Sequence, residues 1–422
     1  MVNDELHVVH ARAAGLDVHK LEITATVRLC AAGAAPTSAT RRFEALPAGL
    51  RELVDWLRGH GVSAAAMEGT GVYWEAPFDA LTDAGIEAQL LHAQQVKQLR
   101  GRKTDIEDSR WLARVCQFGL GQPSFVPSRE WRELRVLSRY RRTLVAERSR
   151  VRNRATKVVD RSGARIGGVV GDIFGVNGRR ILDGLVKGLD REAILDSLSR
   201  HMRAKLDRLG DALNATLSDA DRVVLADLLR QHDSVDRRIA ALDRHLDEGL
   251  AAHVDQLRLL QTIPGIDVAS AAAILAEMGP DPATVFGAAD RLAAWAGVCP
   301  GNRESAGKRR PAHARSGAKH LRALLVGCAH GAARTRGCQF HAYHRALAAR
   351  RGYKRAIVAT AHKLVRTIFA VLRDGRPYRD PDVDYEALLV KRNAPRWVAK
   401  LREFGVLEQR DDGTLTVNWA VV

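Results

Sequence analysis

Apolar and polar positions alternate with period two at the start of the chain. Residues 7–17 and 22–30 read as strands, and Val18-His19-Lys20 reads as a tight connection between antiparallel neighbours. Residues 41–43 suit a third strand. The period then becomes helical, with Leu50, Leu53, Val54 and Leu57 on one face of residues 47–59. An apolar run over 62–67 predicts a buried strand ending at Glu68. A helix (72–84), a strand (87–91), a short helix (93–99) and a longer helix (105–118) follow. Three early strands and then alternating helices and strands predict a mixed α/β sheet for a first domain, 1–125.

Beyond that point the pattern is mostly helical. Residues 129–157 place Leu134, Leu137, Leu144 and Val145 at helical spacing. The glycine-rich stretch 163–178 reads as a turn region and has neither a GxGxxG nor a Walker pattern. Helices are predicted at 180–189 and 191–198. Over 220–250, Val224, Leu228, Val235, Ile239, Leu242 and Leu246 recur near heptad spacing. This predicts a helical coiled-coil middle, 126–255, whose two long helices pair antiparallel with each other or pack between subunits. A mostly α region, 256–376, comes next. Pro264-Gly265 turns between two helices in the manner of a helix-hairpin-helix, whose turn amides can hold a nucleic-acid backbone. A short helix (291–296), a break at Pro300-Gly301 and helices at 318–335, 338–351 and 353–373 follow. The tail, 377–422, is more acidic and ends in a small hairpin over 413–419.

A length of 422 residues calls for two or three such domains. With 46% hydrophobic but only 5% aromatic residues, their cores are expected to be rich in Ala, Leu and Val. No run of 18 apolar residues and no signal h-region is present, so no membrane association and a cytoplasmic location are expected. The five cysteines form no CxxC pair, which indicates neither zinc nor a disulfide framework. A net charge of +17 favours nucleic acid as partner over a membrane surface, because counterion release rewards each phosphate contact. The charge is also concentrated. Residues 129–157 carry 11 Lys or Arg against three acids, and residues 305–373 carry 16 against none, so both need an outside polyanion. Candidate phosphate contacts are Lys103, Arg139, Arg141, Arg142, Arg150, Arg154, Lys308, Arg309, Arg310, Arg315, Lys319 and Arg322. Aromatics are few along 129–157, which favours backbone contact over base readout.

Four carboxylates carry candidate chemistry. Asp17 lies on or next to the first strand, Glu68 ends a buried strand, and Asp105 and Asp108 share one face at a helix start. A carboxylate at a buried strand end is costly unless it binds a cation or lies at an open edge. Four that converge suit Mg²⁺ or Mn²⁺, hard ions that take oxygen ligands and, in pairs, clamp a scissile phosphate. Taken singly, Asp105 (or Thr104) is a helix cap, Asp108 a first-turn acid and Glu68 the start of a turn. Ser305 stands beside Ala306 and Gly307 in a stretch, 302–322, with seven Lys or Arg and one acid, Glu304. It faces a phosphate there or serves a turn in a basic surface loop.

Gly15-Leu-Asp17-Val-His19-Lys20, Met67-Glu68-Gly-Thr-Gly71-Val-Tyr73-Trp74 and Lys103-Thr-Asp105-Ile-Glu-Asp108 resemble the DEDD motifs of bacterial insertion-sequence transposases of the IS-110/IS-1111 type. Ile263-Pro-Gly265, Ala296-Gly-Val-Cys-Pro300, Arg303-Glu-Ser305-Ala-Gly-Lys308 and Lys319-His-Leu-Arg322 are similar to the C-terminal transposase domain of that family. The resemblance implies a ribonuclease H-like, RuvC-like N-terminal domain whose metal ligands are Asp17, Glu68, Asp105 and Asp108. It also implies Ser305 as a catalytic nucleophile, DNA as substrate, a non-coding bridge RNA as guide and a bacterial, nucleoid-associated location. A serine followed directly by glycine is common in the family; here Ala306 intervenes, and Ser316-Gly317 is the competing pair. Strand exchange calls for a homo-oligomer, dimer or tetramer. The alternatives are a Mg²⁺-dependent RuvC-like nuclease or Holliday-junction resolvase in which Ser305 is incidental, and a non-catalytic nucleic-acid-binding protein whose acids are caps.

Overall fold

Strands β1 (Arg12–Val18), β2 (Glu22–Leu29) and β3 (Thr37–Glu44) form an antiparallel meander in the computed structural model. The structure describes residues 7–30, 36–69, 71–92, 104–200, 202, 206–214, 217–301, 304–305, 308–309, 314, 317–381, 385–409 and 414–418. β3 is longer than the three residues expected, because of its eight positions only Phe43 is buried and the apolar alternation is lost. Helix α1 (Pro47–Gly59) then buries Leu53, Val54 and Leu57. β4 (Ala64–Glu68), α2 (Glu75–Asp83), β5 (Glu87–Leu91) and α3 (Asp105–Phe118) follow. The helix expected at 93–99 lies outside the described residues. β4 runs parallel to both β1 and β5, which gives the order β3-β2-β1-β4-β5. One face packs Leu16, Ile23 and Met67 with Leu53 and Leu57; the other packs Ala13, Ala64 and Ala66 under Leu112 and Cys116 of α3. This mixed sheet is compatible with a ribonuclease H-like fold.

Residues 1–129 form one compact unit and 130–422 a second, which takes in the helical middle and the C-terminal region alike. In the second, α4 (Arg129–Arg161) is followed by α5 (Val176–Lys187), α6 (Arg191–Asp196), α7 (Leu206–Ala212) and α8 (Asp219–Gly249). α4 and α8 are antiparallel. Arg141 pairs with Asp243, Arg148 with Asp236 at 2.8 Å and Arg161 with Asp221, so the numbers rise on one helix as they fall on the other. Between them lies a short patch of Leu144, Val235 and Ile239. Further along, Val151, Ala155 and Val158 share a core with Ile181, Leu209, Leu225 and Leu229. The seam is therefore held by Arg–Asp pairs and by apolar contacts in both places, and of the expected heptad positions Leu228, Val235, Ile239 and Leu246 are buried. Val224, expected among them, is exposed, and Leu225 is buried instead, because α8 there packs on several short helices.

Helices α9 (Val254–Gln261) and α10 (Val268–Met278) flank the Pro264-Gly265 turn. α11 (Pro282–Phe286) and α12 (Ala289–Trp295) precede a two-stranded ladder, β6 (Glu304–Ser305) with β7 (Lys308–Arg309). α13 (Lys319–Arg334), α14 (Gln339–Arg351) and α15 (Tyr353–Asp374) complete the region. Gly265 has φ +85°, and a Cβ there would come closer than 3.0 Å to the α13 backbone at Cys328 and Ala332. This face of the turn is a packing joint against α13 instead of an open cradle. The tail holds α16 (Tyr385–Glu403) and a hairpin of β8 (Leu407–Gln409) with β9 (Leu415–Val417). α16 contains Pro395, a residue that reads against a helix interior and hides the element in the sequence. All five cysteines are free; burial pushes the Cys116 thiol up to about 12 and the Cys328 thiol to about 11, so both are inert. No helix among the described residues is long and apolar enough to cross a membrane.

Candidate active site

Side chains of β1 alternate between the two faces, so Ala13, Gly15 and Asp17 lie on the side that α3 covers. A Cβ on Gly15 would come closer than 3.0 Å to Ala113 N and Ser109 O, so α3 rides directly on the strand and only glycine allows it. On α3, positions 105, 109, 112 and 116 recur at helical spacing. Ser109 is buried, with its Oγ 2.8 Å from Thr26 Oγ1, which is itself 2.9 Å from Thr40 Oγ1. These bonds fix α3 along the sheet. Asp105, one turn before Ser109, is thereby brought to Asp17 near the end of β1. Capping falls to Thr104, whose Oγ1 accepts from Glu107 N at 3.3 Å, which leaves the Asp105 carboxylate free of that task.

His19 Nε2 lies 3.2 Å from Asp17 Oδ2 and 3.6 Å from Asp105 Oδ1. One donor atom from each of the three residues falls within 4.8 Å of the others. Burial pushes the Asp17 carboxyl above the usual range. The charges of Asp105 and Asp108 push the same way, while His19 opposes them. Asp108 thus acts on the cluster from within α3 without belonging to the three-donor group. Glu68 ends β4, one position beyond Met67, which pairs with Leu16; it is half-buried on the adjacent strand end and also stands outside that group. Two carboxylates and an imidazole, with carboxylate charge in excess, fit a divalent cation. His19 was not among the residues singled out in the sequence. It lies just beyond the end of β1, in the hairpin connection, where the strand period no longer applies.

Ser305 stands on β6, opposite Lys308 of β7 in the antiparallel ladder. The loop that carries it is closed at its base. A Cβ on Gly317 would come closer than 3.0 Å to Gly297, and Ala318 N donates to Trp295 O at 2.9 Å. The glycine of the Ser316-Gly317 pair is therefore required by packing. Lys103, Arg310, Arg315 and Ser316 lie outside the described residues. Lys319 is exposed and Arg322 half-buried in the first turn of α13.

The arginines of α4 divide into two sets. Arg139 donates to Glu277 Oε1 at 2.7 Å and Oε2 at 2.9 Å, and Arg135 pairs with the same buried carboxylate. Burial lowers Arg135 to about 10. Arg141 pairs with Asp243. Arg139 and Arg141, expected on nucleic acid, are thus engaged in internal ion pairs that tie α4 to α10 and α8. Arg142, Arg150 and Arg154 are exposed, with Arg142 also donating to His320 O at 3.2 Å.

Asp17, Asp105 and His19 gathered where a mixed sheet meets one helix, in a strongly basic chain, fit a nucleic-acid-processing enzyme. Comparison with known families gives the particular one. The DEDD-type IS110 transposase model matches residues 14–163, which contain all four acids. The transposase model of the IS116/IS110/IS902 family matches residues 257–345, which contain Ser305. Together the two span more than half of the chain, which belongs to the IS110 family of insertion-sequence transposases and is a DNA transposase. No curated protein matches the chain.

Proposed function

We propose that this transposase cuts and rejoins DNA through Ser305, assisted by a Mg²⁺ or Mn²⁺ centre on Asp17, Glu68, Asp105 and Asp108 and directed by a non-coding bridge RNA. The observation that carries this reading is the meeting of Asp17 and Asp105, from a strand and from a distant helix, with His19 between them. The Ser305 hydroxyl attacks a DNA phosphorus, its proton passes to a base, and the bond to the leaving DNA oxygen breaks. A phosphoserine link keeps the phosphodiester energy. Attack by a second DNA hydroxyl then rejoins the strand and returns the serine. Serine needs activation at neutral pH. A divalent ion held by these acids would supply it by lowering a hydroxyl's pKa and neutralising phosphate charge. Lys308, Arg309, Lys319 and Arg322 hold the phosphate at the serine loop. The cations at the start of α13 oppose the helix dipole, an arrangement that an outside anion relieves. Arg142, Arg150 and Arg154 grip backbone along α4.

A cleavage assay on element-end DNA tests the centre. Asp105→Ala is expected to abolish Mg²⁺-dependent cleavage while nucleic-acid binding persists. Cleavage at the wild-type rate by that variant would refute the metal role of Asp105.

A further inference from the structure

A concave surface lies apart from the transposase chemistry, using no residue of the acid cluster or the serine loop. It is a groove of about 720 Å³ between α12, α14, α15 and the chain that follows α15. Its charge is mostly cationic, with Asp374 the acid in the lining. Lys363, Arg366 and Arg373 share one side of α15, and Arg376 and Arg379 come from the segment after it. The acids nearby are committed: Asp290 lies 3.4 Å from Arg366, and Asp374 lies 2.7 Å from Arg373. Asp380 accepts from Gln339 N at 3.0 Å and from the Tyr378 hydroxyl at 2.8 Å. Tyr343 and Tyr378 line the same groove, and Lys363 Nζ sits 5.1 Å from the centre of the Tyr343 ring.

The depth of Lys363 selects the ligand. It is half-buried, and burial holds its ammonium below the usual lysine range against the opposing charge of Asp380, so a further anion brought inside stabilises its charge. A duplex is a stiff cylinder that meets exposed cations and leaves a recessed one unserved. A single strand bends, so that a phosphate enters a groove while its base lies on an aromatic side chain. We propose that this groove binds a single-stranded polynucleotide segment, with phosphates on Lys363, Arg376 and Arg379 and a base against Tyr343. The inference rests on the reading of the chain as a DNA transposase. RNA and DNA single strands share the chemistry required.

The test is anisotropy titration of the full chain with single-stranded DNA, single-stranded RNA and duplex DNA, each on the order of 12 nucleotides or base pairs long. In the double variant Lys363→Gln/Arg376→Gln, the slope of log K against log salt for single strands is expected to become shallower by about 1.4, or about 0.7 for each phosphate no longer neutralised. Duplex binding is expected to hold. A loss confined to RNA or to DNA identifies the source of the strand. The charge-matched variant Arg237→Gln/Arg244→Gln, at exposed positions of α8, is expected to leave the single-strand slope unchanged. An unchanged slope in the groove variant, an equal change in the control, or an equal loss on duplex overturns the proposal. As a check that needs no variant, a single strand carrying 5-iodouracil is expected to photocrosslink to Tyr343 or Tyr378 of the wild-type chain, and crosslinks confined to other residues overturn it. If the groove variant binds single strands like wild type while Asp105→Ala still abolishes cleavage, the groove fails and the transposase reading stands.

Discussion

Asp17 holds a carboxylate where burial and two neighbouring acids oppose its charge. An acid whose folded pKa is raised leaves the protein most stable below its unfolded pKa, and that stability is lost as pH rises through the folded pKa. At neutral pH the penalty is present. Asp17→Asn is therefore expected to raise the thermal midpoint in the absence of divalent ions, and to lack the further rise with Mg²⁺ or Mn²⁺ that is expected of the wild type. Differential scanning fluorimetry reads both, and an equal metal shift in the two chains would contradict the site. Gly15→Ala keeps every acid but drives a Cβ into α3. Overpacking of this kind costs about 1–3 kcal/mol, and the metal-induced shift is expected to vanish as Asp105 moves away from Asp17. At this scale the placement of Asp17, Glu68, Asp105 and Asp108 was legible, because strand ends and a helix start can be read from period and capping. His19 was not, since the path of a hairpin connection is set by its turn and not by the period of the flanking strands.

Elements show the same division between local and distant causes. The long basic helix α4 was legible from its charges and helical spacing. Which of its arginines are internal was not, because Glu277 and Asp243 lie more than a hundred residues away along the chain. Glu277→Gln removes the counter-charge of Arg135 and Arg139. Breaking a buried pair in this way is expected to cost about 3–5 kcal/mol in urea unfolding; a change within error of zero would mean that the pair does not hold α4 to α10. Neutralising Arg150 and Arg154, exposed on the same helix, is expected to leave stability alone and to make the salt slope for duplex DNA shallower by about 1.8. An unaffected slope would remove those two residues from the interface. The full extent of β3 and the presence of α16 were hidden for other reasons: one buries a single side chain, and the other carries a proline.

For the whole molecule, the composition and the two pattern regimes conveyed a mixed sheet followed by helices, but a heptad reading cannot tell a coiled-coil seam from a face packed on several short helices. The acids belong to the unit of residues 1–129 and Ser305 to the unit of residues 130–422. Strand exchange needs two nucleophiles held together, so an oligomer that shares its sites between subunits is expected. Mixing Asp105→Ala chains with Ser305→Ala chains is expected to restore activity that neither has alone, and no rescue in confirmed mixed oligomers would mean that each chain uses its own acids. The covalent step is open to direct observation. Wild-type protein with Mg²⁺ and a nicked suicide DNA substrate is digested, and its peptides are weighed by mass spectrometry. A nucleotide adduct on Ser305, absent from Asp105→Ala, is expected; an adduct on Ser316, or full cleavage by Ser305→Ala with no adduct, would contradict the serine mechanism.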